Sequence, residues 1–77
     1  MSSPLQQVLH RIFQEGAETL RDSDGPGTIP DWDSHAHLEL LSQLEESYGI
    51  TLTMEEQLGL DTLAAIKAAL QHRGLMV

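Results

Sequence analysis

The chain has 77 residues, carries 12 Asp and Glu against 4 Lys and Arg for a net charge of −8, and contains no cysteine. A chain this short forms one domain over residues 1–77 and buries only about 60% of the surface its unfolded form exposes. That leaves little material for a catalytic scaffold with its own substrate cleft. The charge repels phosphate backbones and anionic bilayers and favours protein partners with basic patches. Disulfides and thiolate metal sites are excluded. Met1-Ser2-Ser3-Pro4 has neither a basic start nor an apolar signal core, and no apolar run reaches the length of a membrane span. A cytoplasmic monomer is the expectation.

In chain order, Ser3 is a good N-cap and Pro4 suits the first helical position. Leu5, Val8, Leu9, Ile12 and Phe13 then repeat with helical period, and Ala17 and Leu20 continue the stripe past Gly16. This predicts a first helix ending between Gln14 and Arg21. Asp22-Ser23-Asp24-Gly25-Pro26-Gly27-Thr28-Ile29-Pro30-Asp31 is rich in turn formers and reads as a long loop, with Ile29 and Trp32 as its anchors to the core.

A second helix is predicted from about Ser34 to Ser47 or Tyr48. Leu40, Leu41, Leu44 and Tyr48 have core spacing, Leu38 flanks them, and Gly49 suits a left-handed cap. Thr53-Met54-Glu55-Glu56 reads as a capping box opening a short third helix limited by Gly59. Asp61 or Thr62 caps a fourth helix bearing Leu63, Ile66 and Leu70, which Gly74 ends. No strand is supported. The expected architecture is all-α: a small four-helix bundle with a long first loop and a short third helix.

The residue with the most chemical interest is Ser34. A serine opening a helix either caps it with its hydroxyl or presents that hydroxyl where backbone N–H groups and the helix dipole favour a phosphate. Asp33, Ser34 and His37 do not make a hydrolase triad by adjacency alone, and no oxyanion hole is evident. Asp33, His35, His37 and Glu39 could be grouped as metal ligands. On a helix, however, His35 and His37 point in different directions, and His35 with Glu39 reads as a surface pair. His10 and His72 read as solvated or helix-end residues. Glu45-Glu46 and Glu55-Glu56 read as solvated faces able to meet Arg or Lys on a partner.

Asp33-Ser34, the leucine-rich helix closing in Leu44-Glu45-Glu46-Ser47-Tyr48-Gly49-Ile50, the Thr53-Met54-Glu55-Glu56 stretch and the Thr62–Leu70 helix together resemble an acyl carrier protein over nearly the whole chain. The Trp-Asp-Ser form is similar to stand-alone carriers of specialised biosynthesis. The resemblance implies a four-helix bundle of acyl-carrier-protein type and a non-catalytic role. It further implies that a phosphopantetheinyl transferase attaches 4′-phosphopantetheine to Ser34. The arm would then present thioester intermediates to acyl-loading and acyl-processing enzymes. Polyketide, hybrid peptide or glyceryl-unit biosynthesis fits better than bulk fatty-acid synthesis, and an aminoacyl cargo is a variant.

The same resemblance assigns partner recognition to Asp33, His35, Leu38, Glu39, Ser42, Glu45, Glu46, Glu55 and Glu56. It assigns the lining of an acyl-chain space between the second and third helices to Leu41, Leu44, Leu58 and Leu63. His35 stands where the family commonly has Leu, Ser42 where many carriers have an apolar residue, and Ala36 lacks a frequent acid. These departures alter the surface read by partners. The alternative reading is an unmodified helical interaction module on a degenerate carrier fold, which His35 favours.

Overall fold

The computed structural model describes residues 3–77; Met1 and Ser2, which open the stretch read as lacking a signal core, lie outside the described residues. The described chain folds as four α-helices with no β-strand among them: α1 (Pro4–Phe13), α2 (Ser34–Tyr48), α3 (Met54–Gly59) and α4 (Leu63–His72). No helix is long and apolar enough to cross a membrane among the described residues.

Local chemistry explains most helix ends. The Ser3 hydroxyl accepts from the Gln6 N–H, and Pro4 occupies the first turn where its missing donor costs nothing. At α3 the Thr53 hydroxyl accepts from the Glu56 N–H while the Glu56 carboxylate accepts from the Thr53 N–H, a reciprocal capping box. Gly49 closes α2 at φ 65°, a left-handed conformation that glycine adopts without a Cβ penalty.

α1 is shorter than the apolar stripe suggests. It stops at Phe13, and Gln14 turns the chain at φ 55° and ψ −127° into a 3₁₀ segment, Gln14–Thr19. Ala17 is buried and Leu20 packs against the core, so the stripe continues through a tighter winding. Apolar spacing records burial, and it did not distinguish α from 3₁₀ geometry.

The core gathers Leu5, Val8, Leu9 and Phe13 from α1, Leu40, Leu41 and Leu44 from α2, and Leu63, Ile66 and Leu70 from α4. Leu52 and Leu60, which flank α3, complete it with Trp32 from the loop. Ile29 packs against its edge, so both expected loop anchors reach the core. Leu38, expected to flank the core leucines, is instead 63% exposed: two residues before Leu40, it falls on the opposite side of the helix.

The long loop is stitched to the start of α4. The Leu63 and Ala64 N–H groups, which have no intrahelical acceptor, donate to the Asp24 and Asp22 carbonyls at 2.8 and 2.9 Å. The Thr62 hydroxyl takes the Ala65 N–H, so Thr62, not Asp61, is the cap. Lys67 adds an ion pair to Asp22 at 2.8 Å. The Tyr48 hydroxyl donates to the Met76 carbonyl and accepts from the Leu5 N–H, while the Ser3 hydroxyl donates to the Val77 carbonyl. The C-terminal residues are thereby held against the start of α1.

Gly25 lies where loop and α4 meet. A Cβ built there would fall 2.1 Å from the Asp61 carbonyl oxygen, so the two backbones must part to admit even a methyl group. Gly25→Ala is expected to lower unfolding free energy by about 1–3 kcal/mol. Gly16, whose Cβ would meet nothing within 4 Å, serves as the matched control for Gly16→Ala. Urea titration of both variants checks this; equal midpoints would remove the close approach at Gly25 as a constraint.

Candidate functional site

The start of α2 is built from the loop inward. Trp32 is fully buried, its ring tilted against Phe13 with centroids 5.2 Å apart. Its backbone is fixed on both sides: the N–H donates to the Ile29 carbonyl at 3.2 Å, and the carbonyl accepts from Gly27 at 2.9 Å. A buried indole N–H needs an acceptor, since leaving it unpaired costs about 1–3 kcal/mol. His37 Nδ1 supplies it at 3.1 Å. That contact requires Nδ1 to be the bare nitrogen, so the imidazole is neutral and carries its proton on Nε2. Burial pushes the His37 pKa below its ordinary 6.5, while a contact with the Leu60 backbone and the charge of Asp61 pull it back up.

With Trp32 anchored, the next two residues divide their labour. Asp33, in extended conformation, is the N-cap: its Oδ1 accepts from the Ala36 N–H at 2.8 Å, and its carbonyl accepts from the His37 N–H at 2.9 Å. Ser34 is the first residue inside the helix. Of the two uses open to Ser34, the plain cap is not the one observed, because the carboxylate one residue earlier already fills that role. The Ser34 side chain is exposed, and its hydroxyl makes no hydrogen bond among the described residues. His37 is turned to Trp32, and no contact joins it to the Ser34 hydroxyl. The Ser34 and His35 N–H groups precede the first intrahelical bond and remain open.

The exposed face of α2 continues through His35, Leu38, Glu39, Ser42 and Glu46. His35 Nε2 lies 4.0 Å from Glu39 Oε2, the surface pair that their spacing suggests, and Gln43 donates to the other Glu39 oxygen at 3.3 Å. His35 and His37 thus serve different neighbours, and Asp33, His35, His37 and Glu39 do not converge on one point. No Lys or Arg lies between Ser34 and Tyr48.

The other assigned residues separate. Glu46 and Glu55 are exposed. Glu45 accepts from the Leu52 N–H at 2.9 Å and ties α2 to the segment after it. Glu56 is committed at both oxygens, to Thr53 and to Arg73 at 2.7 Å; the Arg73 guanidinium, then the Thr53 N–H, hold its carboxyl below the usual carboxylate range. Glu45 and Glu56 therefore have structural duties that the reading of both acidic pairs as free solvated faces did not foresee.

Of the assigned acyl-chain lining, three residues share the core and one stands apart. Leu41, Leu44 and Leu63 are packed in the core, whereas Leu58 is 79% exposed. α3 has no buried residue at all, and Leu60, just past its end, makes the inward contact instead. No pocket opens among the described residues. The contact that sequence reasoning missed is Trp32 with His37. Its signal was present: a tryptophan at a helix entry needs an N–H acceptor, and a histidine sits one turn inside.

No family model, curated protein or solved structure matches the chain.

The division between Asp33 and Ser34 has an energetic consequence. Asp33→Ala is expected to cost about 0.5–2 kcal/mol through the lost cap. Ser34→Ala should change stability by no more than about 0.5 kcal/mol, since its hydroxyl holds nothing. Equilibrium denaturation ranks the two; a larger loss for Ser34→Ala would return the capping role to the serine.

Proposed function

We propose that the chain is an acyl carrier protein that receives a 4′-phosphopantetheine arm on Ser34. The observation that carries this reading is the Ser34 hydroxyl itself: exposed, unbonded among the described residues, and set at the first position of α2 while Asp33 does the capping. The long loop, the α2 start and the short α3 agree with the acyl-carrier arrangement that the sequence resembles. When bound, the arm supplies a terminal thiol on which an acyl or aminoacyl group is held as a thioester.

The residues present suit that group. Ser34 Oγ attacks a phosphorus of the coenzyme A pyrophosphate, forming an Oγ–P bond as the P–O bond to adenosine 3′,5′-bisphosphate breaks; the hydroxyl proton passes to a base of the transferase. The open N–H groups of Ser34 and His35 and the positive end of the α2 dipole favour the resulting phosphodiester by about 0.3–1 kcal/mol. Asp33 keeps the helix closed throughout, because its bond to Ala36 is independent of the serine oxygen.

Partner enzymes meet the exposed face of His35, Leu38, Glu39, Ser42 and Glu46, with Glu55 on α3. With no Lys or Arg in α2, this face attracts basic docking patches, and its acids chiefly raise association rate and set orientation. His35 and Ser42 make it more polar than the family pattern, which favours partners in specialised biosynthesis.

Incubation with coenzyme A and a broad-specificity phosphopantetheinyl transferase tests the reading. Intact mass is expected to rise by one phosphopantetheinyl group on the wild type and stay unchanged on Ser34→Ala, whose helical circular dichroism should match the wild type. An unmodified wild type, under conditions that load a control carrier, would support the unmodified interaction module instead.

A further inference from the structure

Ser34 stands on a platform held by its neighbours. Trp32, two residues before it, is fixed by two backbone hydrogen bonds and by the indole bond to His37. His37, one turn after it, donates its backbone N–H to the Asp33 carbonyl as part of the helix. Through its bond to Trp32 the imidazole therefore ties together the chain on both sides of Ser34.

That tie has a single chemical condition. Nδ1 accepts the indole proton only while it is bare. A proton on Nδ1 places two N–H donors face to face, and Trp32 is fully buried, so its indole finds no water in exchange.

We propose that His37 is a positioning residue for the modification of Ser34: its neutral ring locks Trp32 and so the pose of Asp33 and Ser34, and acid opens the lock and slows transfer. The role in transfer rests on the carrier reading of Ser34; the lock itself does not.

The groups around the ring set the direction of the pH dependence. Asp61, at the α3–α4 junction, supplies the charge that acts on the ring and favours its proton. On α2, the Asp33 carboxylate is committed to Ala36, and His35 and Glu39 face each other on the exposed side. The loop contributes the uncharged ring of Trp32, its centroid 6.0 Å from that of the imidazole, with Phe13 of α1 on Trp32 in turn. Burial outweighs Asp61 and Leu60, so the folded chain binds this proton more weakly than the unfolded chain. Stability from this group is complete above pH 6.5, the unfolded value, and is lost progressively as pH falls from there through the lower folded value.

The test combines a spectroscopic and a kinetic arm. Trp32 is the single tryptophan, so its indole N–H resonance and fluorescence report the lock directly. Between pH 7.5 and 5 the indole signal of the wild type is expected to move with a one-proton midpoint equal to that of the His37 ring resonances. In His37→Asn, whose amide oxygen offers an acceptor that does not titrate, the signal should stay flat. In the kinetic arm, the wild-type rate of loading from coenzyme A, divided by that of His37→Asn at each pH, should fall several-fold from pH 7.5 to 5.5. His37→Phe, with no acceptor, should lose several-fold in kcat/KM already at pH 7.5.

An indole signal indifferent to the His37 titration, or a rate ratio flat with pH, overturns the proposal. If the wild type takes no arm at any pH while a control carrier does, the carrier reading fails and this role of His37 falls with it. The indole titration still reports in that case whether the lock exists.

Discussion

The fold depends on burying one tryptophan that lies outside every helix. The stretch from Leu20 to Asp33 has no regular element, and only a few turn hydrogen bonds and the partly buried Leu20 and Ile29 otherwise oppose its conformational entropy. Trp32 changes that balance. Its ring fills the core beside Phe13, and its indole N–H reaches His37, so burial carries no unsatisfied donor. The anchored loop then lends the Asp22 and Asp24 carbonyls to the first N–H groups of α4. Trp32 binds the loop to α1 and α2, and the Asp22 and Asp24 carbonyls bind it to α4, so helix–helix packing is only part of what closes the core.

Charge placement follows the same logic of commitment. Of the four basic side chains, Lys67 and Arg73 lie on or just after α4 and are spent on Asp22 and Glu56, which fasten that helix to the loop and to α3. Arg11 donates to the Gln43 side-chain oxygen, a neutral group. None stands on α2, so the acids of its exposed face keep their field toward solvent. Glu56 also illustrates why an acidic pair is not a unit: Glu55 faces water while its neighbour completes a capping box and an ion pair.

What could be read in advance was what short-range chemistry decides. Ser3-Pro4, Thr53 with Glu56, and Gly49 each encode a helix end within a few residues, and those ends lie where expected. The leucines of α2 and α4 follow from period alone. The failures are offsets and long-range choices. Leu58 and Leu60 are both leucines at the end of a short helix, and only the approach of the rest of the chain decides that Leu60 turns inward. Asp33 and Ser34 are both good caps; which of them is the cap depends on where Trp32 pins the chain. The Phe13 terminus of α1 depends on a backbone turn at Gln14, a residue that does not advertise one. At the candidate site Ser34 was legible as the residue of interest, whereas the means of holding it was not, because Trp32 and His37 meet across a helix boundary.

Capping by Asp33, with Ser34 one residue inside, is what makes an exposed serine compatible with a firm helix start. A capping hydroxyl is turned toward the first-turn N–H groups, and any group esterified to it would have to share that space. Here the carboxylate before it satisfies Ala36, and the indole–imidazole bond fixes the backbone from beneath. The serine oxygen is released from structural work without the helix end becoming loose. A small, anionic bundle with limited reserve of stability can then undergo chemistry at that oxygen without drawing on the interactions that keep it folded.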